Sequence, residues 1–275
     1  MANYIEVKIQ VGSVAEKDLL IAVLVEEGFE GFEESEDSLL AFVAETAFNH
    51  QSLEVLMQRM QAEYTVVTIR QQNWNELWES NFEPVQVGKF CHIRAQFHPP
   101  AQEEVAYEIV ITPKMSFGTG HHATTYMMIE TMMGIDLEGK TVLDFGTGTG
   151  VLAILAEKSG ARKVDAIDLD EWSITNAQEN FGINQVQRIF LHQTDAIRMP
   201  DLYDVILANI NKNVLLENMH SIRSHLAADG VVVLSGLLKS DCNDMVEAAA
   251  AAGFALAGLQ ERGGWIALKL APRQY

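Results

Sequence analysis

The sequence predicts an α/β protein in two parts: a large, doubly wound, mostly parallel sheet preceded by a small α+β module. Three observations carry that expectation. From residue 140 onward, apolar strand-like runs alternate with helix-like runs, the pattern of a parallel sheet with helices on both faces. The first of those runs ends at Gly146, Gly148 and Gly150, spaced two apart, and a buried helix follows. Ahead of this, residues 3–70 read in the order β-α-β-β-α-β.

Residues 3–11 alternate as a strand through Tyr4, Ile5, Val7, Ile9 and Val11. Gly12-Ser13 breaks it, and Leu19, Leu20, Val23 and Leu24 mark a helix over 14–27 that Gly28 stops. Residues 29–34 and 38–44 read as short strands around Glu36-Asp37, 52–62 as a second helix and 64–70 as a fourth strand. That order is ferredoxin-like, so 1–71 is expected to stand as its own domain. Over 73–82, Trp74, Leu77, Trp78 and Phe82 share one helical face. They predict a linker helix across 72–84, ended by Pro84, with the tryptophans as interface anchors.

The rest, 85–275, is expected to form the large domain. Residues 89–97 and 105–111 predict a hairpin across Pro99-Pro100. Strands are expected at 141–145, 164–168, 187–191, 204–208 and 231–235, and helices near 150–159, 171–181, 212–226 and 240–252. Residues 254–261 and 265–270, joined at Gly263-Gly264, predict an antiparallel hairpin that closes the sheet.

Composition narrows the function. A chain of 275 residues can bury an ample core. It has no run of eighteen apolar residues, and its start, Met1-Ala2-Asn3-Tyr4-Ile5-Glu6, has no basic region or apolar core of a signal peptide. Cys91 and Cys242 make neither a metal spacing nor a disulfide framework. A reduced, cytoplasmic, monomeric protein is expected, with no membrane partner. The net charge of −19 opposes direct nucleic-acid binding, which needs a basic face, and suits a basic partner or simply solubility.

The glycine run selects the cofactor. A dinucleotide fingerprint wants G-x-G-x-x-G, but Val151 follows Gly150; a phosphate-cradling loop wants Gly-Lys-Ser/Thr, and no cation lies between Lys140 and Lys158. Such a loop suits a nucleoside cofactor without phosphates, and S-adenosylmethionine fits. Asp168, at the end of the next strand, stands where a ribose diol would be held. Residues 115–125, Met-Ser-Phe-Gly-Thr-Gly-His-His-Ala-Thr-Thr, open a helix whose start either holds the cofactor's carboxylate or is an ordinary cap. His121-His122 makes no metal pair, because adjacent helical residues diverge. Asp195, after the third parallel strand, either accepts from an adenine amino group or caps a turn.

Asn209 ends an apolar strand at the carboxyl edge, where open α/β sheets bind ligands. Methyl transfer to an amine needs a neutral, aimed nitrogen. A free lysine titrates near 10.4, so neutralising it at pH 7 costs roughly 4–5 kcal/mol. Desolvation and carbonyl acceptors offset this, and the Asn209 side-chain oxygen and the Ile210 backbone carbonyl offer two. Other readings stay open on the residues alone. A nucleobase-amine methyltransferase would carry Asn/Asp-Pro-Pro-aromatic where this chain has Asn209-Ile210-Asn211-Lys212. A non-catalytic cofactor-binding module and a hydride-transfer enzyme are the remaining two.

A doubly wound sheet closed by an antiparallel hairpin resembles the class I (Rossmann-like) seven-stranded methyltransferase fold. Taken together, Phe117-Gly118-Thr119-Gly120 through Thr124-Thr125, Asp144-Phe145-Gly146-Thr147-Gly148-Thr149-Gly150, Asp168 and Ala208-Asn209-Ile210 resemble the methyltransferase family of ribosomal protein L11. The resemblance covers most of the chain. It implies methyl transfer from S-adenosyl-L-methionine to lysine ε-amines and the N-terminal α-amine of that basic ribosomal protein. It also implies that the N-terminal domain grips the substrate and the linker lets the catalytic domain reach different amines. The expected cofactor-binding residues are Phe117, Thr125, Gly146, Gly148, Asp168, Asp195 and Asn209; Asn209 and Ile210 are the expected catalytic pair. Acidic residues Glu26, Glu27, Glu30, Glu33, Glu34, Glu36 and Asp37 suit a basic substrate.

Overall fold

The computed structural model describes residues 4–69 apart from 12 and 36, then 83–114 and 118–273. The chain divides into two compact units, Met1–Asn81 and Phe82–Tyr275. The linker helix expected over 72–84, with Trp74 and Trp78, falls up to residue 82 outside the described residues.

The first unit contains β1 Tyr4–Gln10, α1 Val14–Glu26, β2 Gly31–Glu34, β3 Ser38–Ala44, α2 His50–Met60 and β4 Tyr64–Ile69. Its sheet runs β2-β3-β1-β4, all antiparallel, which is the ferredoxin-like arrangement. Local chemistry sets the helix ends. The Ser13 hydroxyl accepts from the Glu16 N–H, and Asn49 Oδ1 accepts from the Gln51 and Ser52 N–H groups. Gly28, at φ +90°, turns the chain out of α1. Ile5, Val7 and Ile9 alternate inward from β1 and meet Leu20, Leu24, Leu53 and Met57 in one buried core.

The second unit contains β5 Val85–Val87, β6 Cys91–Ala95, β7 Tyr107–Ile111, α3 Ala123–Met132, β8 Thr141–Phe145, α4 Val151–Lys158, β9 Lys163–Asp168, α5 Glu171–Ile183, β10 Ile189–Gln193, β11 Tyr203–Asn209, α6 Lys212–Ser224, β12 Leu226–Leu238, α7 Cys242–Ala251, β13 Phe254–Arg262 and β14 Trp265–Pro272. Seven strands form one sheet in the order β10-β9-β8-β11-β12-β14-β13. The first five are parallel, and β14 runs antiparallel between β12 and β13, as the glycine-joined hairpin predicts. The central strands are buried on both faces, β8 along its whole length, which is why they read as unbroken apolar runs. One face packs on α3, α4 and the small sheet, the other on α6 and α7.

The hairpin expected across Pro99-Pro100 is not formed. Strands β6 and β7 pair in parallel, from Cys91↔Tyr107 to Ala95↔Ile111, and the antiparallel partner of β6 is the short strand β5. Two prolines supply no two-residue turn, and the stretch from Gln96 to Ala106 is long enough to carry the chain back to the start of β6. The Arg94 guanidinium fixes the crossover: it pairs with Glu108 at 3.0 Å and donates to the His98 carbonyl at 3.1 Å. The other Glu108 contact, from the Ala101 N–H at 3.0 Å, ties down the loop.

Candidate active site

All five parallel strands point their carboxyl ends to one edge of the sheet, and a cleft of about 410 Å³ opens there. Its walls are Gly146 and Gly148 after β8, Asp168 and Ser173 around the end of β9, Asn209, Ile210 and Asn211 after β11, Gly236 in β12, His122 ahead of α3, and Trp265 at the start of β14. That volume lies in the range of small-molecule sites, roughly 300–1,000 Å³.

The glycine turn is held from below and from the side. Gly146, Gly148 and Gly150 all have positive φ, at 77°, 54° and 81°, which side chains resist. The Asp168 carboxylate accepts from the Gly148 N–H at 2.9 Å and from the Asp170 N–H at 3.0 Å, so it ties the turn to the end of β9. Beneath it, Asp144 is fully buried and accepts from the Thr147 hydroxyl at 2.6 Å and the Ala153 N–H at 3.2 Å. Burial pushes the Asp144 carboxyl up to about 7 despite those donors.

The second glycine loop docks on the first. The Thr149 hydroxyl donates to the Gly118 carbonyl at 2.7 Å, and a Cβ on Gly118 would come within 2.8 Å of that hydroxyl. After the loop, His122 caps α3, its Nδ1 accepting from the Thr124 N–H at 3.3 Å. Among the described residues no group of three His, Cys, Asp or Glu is placed to hold a metal.

Asn209 is the polar centre of the cleft. Its amide Nδ2 donates to the Thr125 hydroxyl at 3.2 Å, and its Oδ1 is buried with no partner. An unpaired buried acceptor costs about 1–3 kcal/mol, which a ligand N–H would offset. Ile210 is clamped beside it. A Cβ on Gly146 would lie 2.1 Å from Ile210 Cγ2, and a Cβ on Gly236 would lie 2.2 Å from the Ile210 carbonyl oxygen. Strand β12 makes room through a register shift between Leu234 and Leu237, with Gly236 at φ +84° in the bulge.

Of the residues predicted from sequence, Gly146, Gly148, Asp168, Asn209 and Ile210 line this cleft together. Thr125 is buried behind Asn209 and orients it. Phe117 lies outside the described residues. Asp195 is not in this cleft: it is exposed, pairs with Arg198 at 3.2 Å, and lines a neighbouring hollow with Leu169, His192 and Thr194 one strand further out. Sequence reasoning missed Ser173, Gly236 and Trp265. For Gly236 a signal existed, a glycine at the carboxyl end of an apolar strand; for Trp265 there was none, because its partner across space is His122.

The same architecture recurs in known proteins. The family model described as ribosomal protein L11 methyltransferase (PrmA) matches residues 6–273. A Porphyromonas gingivalis protein of that name is 40% identical over 263 residues, covering 93% of this chain and 90% of its own. Its namesake from Phocaeicola vulgatus is 36% identical over 260 residues, 92% of each. A crystal structure titled ribosomal protein L11 methylase, from Lactobacillus delbrueckii subsp. bulgaricus, superposes with a TM-score of 0.65 at 29% identity, over 70% of this chain and 100% of that one. With the glycine turn, Asp168 and the Asn209-Ile210 edge inside the matched span, this chain belongs to the ribosomal protein L11 methyltransferase family.

Proposed function

We propose that this chain transfers methyl groups from S-adenosyl-L-methionine to amines of ribosomal protein L11, the lysine ε-amines and the N-terminal α-amine. The observation that carries the chemistry is the unpaired Asn209 Oδ1 beside the clamped Ile210 carbonyl, two acceptors at the mouth of a turn with no cationic side chain. The family match supports the substrate.

The residues fit the cofactor. Gly146 and Gly148 leave room for close backbone approach, Asp168 at the end of β9 suits a ribose diol, and Asn209 Oδ1 suits an N–H donor. The exposed Leu169, with Asp195 in the same hollow, offers an apolar seat and an acceptor for an adenine ring. Thr125 acts through Asn209; Phe117 is kept as a cofactor-binding residue on the family resemblance alone. When bound, the cofactor supplies a sulfonium methyl: the amine lone pair forms the N–C bond as the C–S bond breaks, and the electron pair leaves with sulfur.

The chain's own part is to aim the amine. Asn209 Oδ1 and the Ile210 carbonyl accept N–H bonds and turn the lone pair toward the donor. Neutralising an ammonium needs desolvation, which the cleft walls provide; no side-chain base is required at the nitrogen. Residues 1–71 would grip the basic substrate and 72–84 would link them to the catalytic domain of 85–275. The net charge of −19 favours that partner over nucleic acid. No described helix is long and apolar enough to cross a membrane; we place the protein in the cytoplasm as a monomer. The test is incubation of the full chain with radiolabelled S-adenosylmethionine and unmethylated L11. Label on L11 lysines and its N-terminus is the expected result, and unlabelled L11 refutes the reading.

A further inference from the structure

We infer that Trp265 forms the acceptor wall of the cleft: its ring packs on the alkyl stem of the target amine and stabilises the positive charge that builds on nitrogen during transfer. The inference rests on the methyl-transfer reading above.

Strand order separates the two ends of the cleft. The glycine turn and Asp168 belong to β8 and β9, and Asn209 belongs to β11 beside them. Trp265 sits on β14, three strand spacings from β8 along β8-β11-β12-β14, or roughly 14 Å at about 4.8 Å per strand. It therefore lies beyond the Asn209 acceptors, on the side away from Asp168. Among the described residues that line the cleft, His122 and Trp265 supply the rings.

The ring is held in place. His122 meets it edge-on, with centroids 4.6 Å apart and planes at 72°. Across the Gly263-Gly264 turn, the Arg262 guanidinium lies 3.6 Å from the centroid of the Tyr126 ring on α3. These two contacts join the hairpin tip to the start of α3. On the other side, Trp265 pairs with Leu238 of β12, and the Lys239 N–H donates to the Gly264 carbonyl at 2.9 Å. His122 Nδ1 is held at the start of α3, 3.3 Å from the Thr124 N–H and 2.7 Å from the Thr124 hydroxyl. The imidazole and the indole together make a ring-lined wall against which the alkyl stem of an amine can pack.

The chemistry needs such a wall. In the displacement the nitrogen lone pair becomes the N–C bond, the C–S pair leaves with sulfur, and the positive charge passes from sulfur to nitrogen. Asn209 Oδ1 and the Ile210 carbonyl hold the N–H side of that nitrogen, and they lose a donor with each methyl added. An aromatic face stabilises a cation whether it bears hydrogens or methyls. Trp265 is thus an acceptor-binding residue, and His122 is the positioning residue behind it.

The test uses the full chain with L11 as acceptor, comparing wild type, Trp265→Phe, Trp265→Leu and His122→Asn, the last keeping a helix cap while removing the ring. Calorimetry gives the affinity for S-adenosylmethionine, and steady-state kinetics give kcat and KM for L11. Expected is a graded loss in kcat/KM for L11, about 3-fold for Trp265→Phe and for His122→Asn and about 10- to 30-fold for Trp265→Leu, with cofactor affinity within 2-fold of wild type. Trp265→Leu with wild-type kcat/KM overturns the inference, and so does a loss confined to cofactor affinity. If Trp265→Leu does not fold, Trp265→Phe and His122→Asn decide by the same criteria. A wild-type chain that binds cofactor yet leaves L11 unmethylated overturns the underlying reading itself, an outcome distinct from both.

Discussion

The two edges of the seven-stranded sheet differ in how their polar groups are satisfied. At the amino edge a hollow of about 500 Å³, larger than the carboxyl-edge cleft, is lined by Asp136, Lys140, Asp204, Asp229 and Lys269. There Asp204 accepts from the Thr141 N–H at 2.8 Å and its hydroxyl at 2.9 Å; burial works against its charge, but these donors hold the carboxyl below its usual range. Nearby, Asp165 takes Lys163 at 2.9 Å and the Tyr203 hydroxyl at 3.0 Å, and burial with that carboxylate raises the phenol. At the carboxyl edge the smaller cleft has a buried Asn209 oxygen with no partner and backbone held open by glycines. The larger hollow holds an Asp204 carboxylate satisfied by Thr141, and the smaller one holds an unfilled acceptor, so chemistry, not volume, marks the binding edge.

Breaking the carboxyl edge should cost most. Asn209→Ala removes the unpaired acceptor and is expected to lower kcat/KM for L11 at least 100-fold, near 3 kcal/mol of transition-state stabilisation, with little change in thermal unfolding. Asp204→Asn is the matching change at the amino edge. It should weaken folding through the Thr141 bonds while kcat stays within 2-fold of wild type. Equal kinetic losses in both variants, measured by methyl incorporation, would erase the contrast.

Asp144 sharpens it in a second way. Its carboxyl is raised from 3.8 to about 7, so between those values the native protein keeps a proton that the unfolded chain has lost. Stability therefore falls as pH rises through that window and is flat above it. Between pH 5 and 7 the fall attributable to Asp144 is about 2 kcal/mol. Urea unfolding of Asp144→Asn should show that part of the slope gone, and an unchanged slope would assign the buried charge elsewhere.

Gly236→Ala tests the clamp on Ile210. The new methyl would meet the Ile210 carbonyl at 2.2 Å, at a φ of +84° that alanine resists. Backbone must shift, and a destabilisation of about 1–2 kcal/mol is expected. Because the displaced group is the carbonyl proposed to hold the amine, kcat should fall several-fold more than KM for S-adenosylmethionine rises.

What sequence revealed follows from how local each signal is. Strand and helix runs of the catalytic unit are set by unbroken apolar segments such as 205–208, and Gly146, Gly148, Asp168 and Asn209 stand at strand ends, a position that sequence can count. The small sheet escaped because its pairing is non-local: Arg94 reaching Glu108 decides parallel over antiparallel, and no turn residue announces it. Gly236 and Trp265 escaped for the same reason, one set by a bulge against Ile210 and the other by a ring on another element. Asp195 shows the converse, a residue correctly placed at a strand's end whose side chain faces the next hollow.

The smallest expected effect decides how far the binding edge extends. Asp195 is exposed and pairs with Arg198 on the surface at 3.2 Å, a pair worth little to folding. Asp195→Ala should leave unfolding within about 0.5 kcal/mol of wild type. If the hollow beside Leu169 seats the adenine, the variant loses one hydrogen bond of about 1 kcal/mol, and cofactor affinity falls about 5-fold by calorimetry while kcat at saturating cofactor is unchanged. An unchanged affinity would confine the site to the strands from β9 to β14, and Asp195 would then be a turn residue at the rim. Either way the amino edge sets the scale: the same substitution at Asp229, at the opposite edge of the sheet, should move neither affinity nor turnover.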